Sequence, residues 1–177
     1  MAHAHEEYRF CPRCAGELEG RVLKEREPPR LVCARCSFVF YLDPKVAACT
    51  ITMWQGRIVL LRRAIKPSLG KWVFPGGFVD RGETVAAAAV RETLEEVNLR
   101  VSLTGILDAY SYAGSHVVVI VYAAEIVGRQ PEAADECLEV RTFAPEEIPW
   151  EDLAFESTRE ALRDYVRLFF PRAPLPR

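Results

Sequence analysis

Thr84-Val85-Ala86-Ala87-Ala88-Ala89-Val90-Arg91-Glu92-Thr93-Leu94-Glu95-Glu96-Val97 has the composition of a helix, with four consecutive alanines and a threonine placed to cap the N-terminus. At about 100° per residue, Ala86, Val90, Leu94 and Val97 fall on one face, and Glu92, Glu95 and Glu96 gather on nearly the opposite one. A charged helical face is ordinarily solvated surface. Here its context points further. The helix follows Pro75-Gly76-Gly77, a turn whose glycines permit close approach of a ligand, and a further acid, Glu83. Arg91 lies one turn before Glu95, placed to pair with it and fix its orientation. Clustered carboxylates repel one another unless cations compensate, and an all-oxygen donor set suits Mg²⁺ or Mn²⁺ at a phosphate-bearing substrate.

The flanking sequence reads as an α/β domain built around that helix. Val46 to Met53, a Gln55-Gly56 turn and Ile58 to Leu61 form a hairpin pattern. Arg62 to Lys71 reads as a loop, and Trp72 to Phe74 as a short strand entering the glycine turn. Beyond the helix, Leu99 to Ala109, His116 to Ile126 and Leu138 to Phe143 read as strands, with Val127 to Asp135 a polar loop. Ser157-Thr158-Arg159-Glu160 is a capping-box pattern opening a last helix to about Phe170, with Ala161, Leu162, Tyr165, Val166 and Phe169 as its apolar stripe. Pro171 to Arg177 is expected to be a flexible tail.

Toward the N-terminus the composition changes at Asp43-Pro44, which marks the expected boundary between a unit of residues 1–44 and a larger one of residues 45–170. The small unit holds Cys11-Pro12-Arg13-Cys14 and Cys33-Ala34-Arg35-Cys36, with 18 residues between Cys14 and Cys33. A duplicated C-x-x-C is the spacing of four thiolates around one tetrahedral Zn²⁺; a redox pair would leave its duplicate unexplained. About 40 residues rarely build a sufficient core without a metal, so the zinc is read as structural. Cys49 and Cys137 fall outside the pattern and read as small buried hydrophobes.

The 177 residues suffice for one globular domain with a small appendage, and 23 Lys+Arg against 25 Asp+Glu give a net charge of -2. That balance lacks the cationic excess of non-specific nucleic-acid binding. The small unit lacks it too, with eight basic and seven acidic side chains through Lys45. The apolar run Val117 to Ala124 is too short to cross a bilayer and reads as a buried strand. Met1 to Glu7 has neither the basic start nor the apolar stretch of a signal peptide, so a cytoplasmic location without membrane attachment is expected.

Gly77-x5-Glu83-x7-Arg91-Glu92-Thr93-x-Glu95-Glu96-x-Asn98-Leu99 resembles the Nudix box, the signature of hydrolases acting on nucleoside diphosphates linked to another moiety. One position departs: the family usually carries glycine where this chain has Asn98. Asn is the next-best residue for a left-handed helix end, so slight destabilisation and intact chemistry are expected there. The resemblance extends to a zinc-ribbon subgroup through Phe10-Cys11-Pro12 and Tyr41 to Lys45. It extends further through Glu136-Cys137-Leu138-Glu139 to Phe143, Glu147-Ile148-Pro149 and Leu153-Ala154-Phe155. Members of that subgroup act on ADP-ribose and FAD. The related NADH pyrophosphatases and RNA NAD-decapping enzymes carry Ser-Gln-Pro-Trp after the box, and Gly105 to His116 lacks it.

The resemblance implies an α/β/α sandwich around a mixed sheet and a metal-dependent pyrophosphatase taking a small nucleotide, with a homodimer as an available assembly. It implies Glu92, Glu95, Glu96 and a backbone carbonyl at Gly76-Gly77 as Mg²⁺ or Mn²⁺ ligands. Arg91 would orient the carboxylates and Glu83 would support the geometry of the loop and helix. Glu136 and Glu139 are the candidate loop bases. Trp72, Phe78, Tyr110 and Tyr112 are candidates to stack on a base or flavin, and Arg62 or Lys66 to contact phosphate. Two other readings stand beside ADP-ribose or FAD hydrolysis: a pyrophosphohydrolase for NADH or oxidised dNTPs, and a sensor or adaptor that binds a nucleotide without cleaving it. The complete acidic cluster speaks against the sensor.

Overall fold

A computed structural model describes residues 8–175, so Met1 to Glu7 and the last two residues of the expected tail lie outside it. The chain divides into two compact units between Asp43 and Pro44. In the first, β1 (Leu18–Arg21), β2 (Arg30–Cys33) and β3 (Val39–Phe40) form an antiparallel sheet. Among the described residues its core is Leu18 and Leu31 with Cys11 and Cys33, flanked by Cys14, Phe38 and Phe40.

The second unit opens with β4 (Lys45–Trp54) and β5 (Arg57–Arg63), joined by a two-residue turn in which Gln55 and Gly56 both have positive φ, 51° and 76°. That geometry matches the twist of a tight hairpin. Then follow β6 (Trp72–Val73), β7 (Gly76–Phe78), helix α1 (Val85–Val97), β8 (Arg100–Ser111), β9 (Val117–Gly128), β10 (Cys137–Phe143) and helix α2 (Glu156–Phe169). The sheet order is β10-β5-β4-β9-β8, with β4 and β9 parallel and the other neighbours antiparallel. Among the described residues no helix is long and apolar enough to cross a membrane.

The two helices use opposite faces of β4. Ile51 joins the main core with Ala161, Leu162, Tyr165 and Val166 of α2, whereas Ala48 and Thr50 face α1. Tyr110 of β8 and Tyr112, just beyond its end, further donate to Asp164 and Glu160 of α2, at 3.0 and 2.7 Å. The result is the expected α/β/α sandwich. Thr84 caps α1 as its sequence indicates, its hydroxyl accepting from Ala87 N–H at 3.1 Å.

Three local expectations are corrected. The buried face of α1 is Ala88, Ala89, Thr93, Glu96 and Val97, rather than Ala86, Val90 and Leu94. Its small residues let the helix sit directly on Ala48, and Thr50 donates to the Thr93 hydroxyl at 2.7 Å while Thr93 donates to Ala89 O at 2.7 Å. The glycine turn is in fact strand β7, paired with β4 through Ala48 and Cys49. Helix α2 begins one residue before Ser157, which is buried inside its first turn, and its N-cap Phe155 makes no side-chain cap bond.

Thr93→Val tests the helix anchor. It leaves the Thr50 hydroxyl buried without a partner, and the expected loss is about 1–3 kcal/mol in chemical denaturation. A loss under about 0.5 kcal/mol, the range of an inconsequential surface change, would contradict that account.

Candidate active site

Strand β7 and helix α1 build the site between them. Gly77 lies so close to α1 that a Cβ there would overlap the Glu92 carboxylate, within 2.6 Å of Oε2. Gly76, at φ +153°, lies against β4, where a Cβ would come within 2.6 Å of the Cys49 Cα. A side chain at Gly77 would push the helix and its acids away from β7, and one at Gly76 would push β7 away from β4. The Gly76 N–H donates to Glu96 Oε2 at 2.8 Å, tying the last acid of the cluster to β7.

Arg91 organises the rest. Its guanidinium donates to Glu83 twice at 3.0 Å, to Glu92 at 2.7 Å, to Glu95 at 3.0 Å and to the Phe78 carbonyl at 3.2 Å. Bidentate pairing with Glu83 holds that carboxyl below its ordinary range, and in return Glu83 and Glu92 keep Arg91 charged. Glu83 also accepts from Asp80 N–H at 3.2 Å, fixing the turn before the helix.

Glu92 and Glu96 show the opposite tendency. Burial is the main cause in both; Arg91 opposes the rise at Glu92, where Glu95 and Glu83 repel, and the Gly76 N–H opposes it at Glu96, where Glu92 and Glu136 repel. Glu96, 9% exposed, is pushed up to about 7. Three carboxylates thus share one guanidinium, and the set is all oxygen and short of positive charge, the condition a hard divalent cation relieves.

The cluster lines a cavity of about 1060 Å³. Of the expected residues, Gly76, Gly77, Phe78, Arg91, Glu92, Glu95, Glu96 and Glu136 line it, as do Lys66 and Tyr112. Glu83 is absent from the lining and touches the site through Arg91. Four others are elsewhere. Trp72 is core, edge-on to Phe143 at 5.1 Å, and Tyr110 is core, 7% exposed and bonded to Asp164. Arg62 and Glu139 are register partners on β5 and β10, 3.9 Å apart, and Arg62 donates to Gly70 O at 2.8 Å.

Arg63, which the residue pattern did not single out, lines the cavity instead of Arg62. Its guanidinium lies 5.1 Å from the Phe155 ring and its charge opposes the rise of the Glu96 pKa. Alternation along a strand is the signal that separates Arg62 from Arg63. It was masked because Ile58, Val59, Leu60 and Leu61 are all fully buried, leaving no polar face to set the phase.

In the first unit, the Sγ atoms of Cys11, Cys14, Cys33 and Cys36 all lie within 4.8 Å of one another, with Cys11 and Cys36 at 3.8 Å and Cys14 and Cys33 at 3.5 Å. Tetrahedral zinc with Zn–S bonds of about 2.3 Å places its sulfurs about 3.8 Å apart, so the donor set fits Zn²⁺.

This fold and carboxylate helix coincide with a known family. The NUDIX domain model matches residues 42–165, and the Nudix N-terminal zinc-ribbon model matches residues 9–42. The chain belongs to the Nudix hydrolase family. It is 35% identical over 131 residues to the ADP-ribose pyrophosphatase of Methanocaldococcus jannaschii, covering 72% of this chain and 76% of that protein. A NAD-capped RNA hydrolase, NudC, of Pectobacterium carotovorum is 24% identical over 129 residues, but the chain spans only 47% of its length. The crystal structure of a NUDIX hydrolase from Nitrosomonas europaea superposes with a TM-score of 0.86 at 35% identity, covering 96% of this chain and 97% of that one.

Proposed function

We propose that this protein hydrolyses the pyrophosphate bond of a nucleoside diphosphate joined to a second moiety, with ADP-ribose the first choice, releasing AMP and ribose 5-phosphate. The observation that carries the reading is the Glu92, Glu95 and Glu96 cluster, the first two clamped by Arg91 and the third held by the Gly76 N–H, lining a cavity large enough for a dinucleotide-sized ligand. The similarity to an archaeal ADP-ribose pyrophosphatase supports the substrate.

Glu92, Glu95, Glu96 and a backbone carbonyl of Gly76-Gly77 would hold Mg²⁺ or Mn²⁺. When bound, the metal supplies neutralisation of phosphate charge and a lowered pKa for coordinated water. Arg91 and the Gly76 N–H hold the carboxylates in place before substrate arrives, so little reorganisation remains at the moment of reaction. Arg63 and Lys66 bind phosphate oxygens in the cavity, and Phe78 and Tyr112 flank the non-reacting groups. Glu136 is the loop base, taking a proton from the water that attacks phosphorus. Glu139, held by Arg62 on β5, is removed from that role. The same reading includes structural zinc in a ribbon of residues 1–44, a hydrolase domain of residues 45–170, and a reducing, cytoplasmic setting in which thiols stay free. It leaves a homodimer open as the assembly.

Product analysis with Mg²⁺ or Mn²⁺ against ADP-ribose, FAD, NADH, ADP-glucose and dNTPs tests it. AMP and ribose 5-phosphate from ADP-ribose are expected; FMN and AMP from FAD would shift the substrate within the same class. Cleavage confined to NADH or dNTPs would overturn the substrate assignment. Binding without cleavage of any member would favour the sensor reading.

A further inference from the structure

The Nudix box of this chain departs from the common pattern at Asn98, and the structure gives that residue a task that glycine lacks a side chain to perform. Asn98 ends α1 in the left-handed region, φ 55° and ψ 23°, its N–H bonded to Leu94 O. Its side chain then reaches the loop between β9 and β10: Nδ2 donates to Glu132 Oε2 at 3.2 Å, and Oδ1 accepts from Arg129 Nη1. Backbone bonds run alongside, from Glu132 N–H to Val97 O and from Ala134 N–H to Glu96 O, both at 3.1 Å. The loop is stitched to the last turn of the helix that carries Glu96.

That loop ends at Asp135 and Glu136, which line the cavity, and the Glu136 charge is close enough to Glu96 to raise its pKa. The Glu136 carbonyl accepts from Ala64 N–H at 2.9 Å, so the segment is anchored at its far end as well. Between the two anchors, the bonds that set the loop's approach to the carboxylates are those to Glu96, Val97 and Asn98. A backbone N–H to carbonyl pair at a helix end is weak when water competes for it, and two side-chain bonds on the same turn raise the cost of opening.

We propose that Asn98 is a positioning residue: it docks the 129–136 segment on the end of α1 and thereby sets the distance of Glu136 from the water that attacks phosphorus. This rests on the reading of Glu136 as the loop base. Asn98 touches neither substrate nor reacting atoms, and its influence passes through the loop. The device substitutes for local order. Glycine at this position favours the left-handed end more strongly but leaves the loop held by main-chain bonds alone.

The test compares kcat and KM for ADP-ribose in the full-length protein and in Asn98→Gly, Asn98→Asp, Asn98→Asp with Glu132→Gln, Glu136→Gln, and Asn98→Gly with Glu136→Gln. Asn98→Gly keeps the helix end and is expected to fold with an unchanged or raised Tm. Its kcat should fall about tenfold with KM near the original, within the range that small misplacement of a reacting group produces. Asn98→Asp should fall at least as far, because two carboxylates then face each other. Adding Glu132→Gln restores a donor opposite the new carboxylate and should recover most of the loss. In the Glu136→Gln background, Asn98→Gly should cost nothing more.

Hydrogen exchange at the Ala134 and Glu132 amides should quicken in Asn98→Gly, a readout independent of any substrate. An Asn98→Gly enzyme within twofold of the original would overturn the proposal. So would an equal loss in the Glu136→Gln background, which would place the effect on the metal-binding helix itself. Full activity of Glu136→Gln would overturn it while leaving the hydrolase reading intact. Failure of the unmodified protein to cleave ADP-ribose would instead count against the proposed function, with the exchange data still reporting on the tether.

Discussion

Glu96→Gln is expected to lower hydrolysis of ADP-ribose by about a thousandfold while leaving the fold in place. Glutamine has nearly the same volume, and its amide oxygen can still accept the Gly76 N–H that holds Glu96 at 2.8 Å. What disappears is one full negative charge at the most buried of the three acids. Charge stabilisation by a bound metal is worth several kcal/mol to phosphoryl transfer, and about 4 kcal/mol corresponds to about three decades in rate. Turnover within tenfold of the original, with tight binding of Mg²⁺ retained, would remove Glu96 from the mechanism.

The same variant has a second readout, whose sign follows from burial. The carboxyl of Glu96 rises from an ordinary value of 4.5 to about 7 on folding. Its folded form therefore binds a proton more tightly than its unfolded form. The contribution to stability is complete below pH 4.5 and is lost as pH rises through 7, amounting to about 3 kcal/mol at about 1.4 kcal/mol per pK unit. In chelator, the Tm of the unmodified protein should drop between pH 5 and pH 8 relative to Glu96→Gln. Saturating Mg²⁺ should reverse that difference near pH 8, since the ion binds the charged form. Parallel Tm curves for the two proteins would show that Glu96 titrates as an ordinary carboxylate.

Helix α1 and its acids were legible because spacing alone brings Glu92, Glu95 and Glu96 within one turn of one another and Arg91 one turn before Glu95. The direction that cluster faces was not. An apolar moment weights Val90 and Leu94, whereas the buried contact is made by Ala88 and Ala89 on Ala48 and by a Thr93 to Thr50 hydrogen bond. Small side chains contribute little to periodicity and much to close approach. The burial of Glu96 is likewise tertiary, because it depends on β7 passing beside the helix without a Cβ at Gly77 and on the Gly76 N–H that meets its carboxylate.

Aromatic residues misled for a related reason. Trp72 and Tyr110 have the chemistry to stack on a base, but strand parity turns them into the core, while Phe78, 49% exposed, stays at the cavity. Arg62 and Arg63 differ only in parity, and a run buried on both faces carries no phase. The bulge between Cys137 and Glu139 in β10 adds to this by shifting the register, so that Glu139 lies opposite Arg62 and Cys137 opposite Arg63. A one-residue step separates Glu136, in the cavity lining, from residues that leave it. Spacing in a single chain does not resolve such a step.

Removal of zinc is expected to unfold the first unit and leave the second folded. The apolar core around Leu18 and Leu31 consists of a few side chains, and two of its buried members, Cys11 and Cys33, are themselves thiols of the metal set. A unit of this size has little stability of its own, while binding of structural zinc to such a set releases about 10–16 kcal/mol. Without the ion, the sulfurs of Cys14 and Cys33 at 3.5 Å have no attraction to oppose the chain entropy of the segments that bring them together. The second unit has the large core running from Ile51 to Val166 and needs no metal to fold. Hydrogen exchange on the full-length protein, before and after stripping by a strong zinc chelator and with metal content measured, separates the two. Amides of β1 and β2 should lose protection by at least a hundredfold, and those of β4 and β9 should keep theirs. Retained protection in β1 and β2 after zinc has left would mean that the ribbon folds on its apolar contacts alone. The four thiols would then need a role other than holding it together.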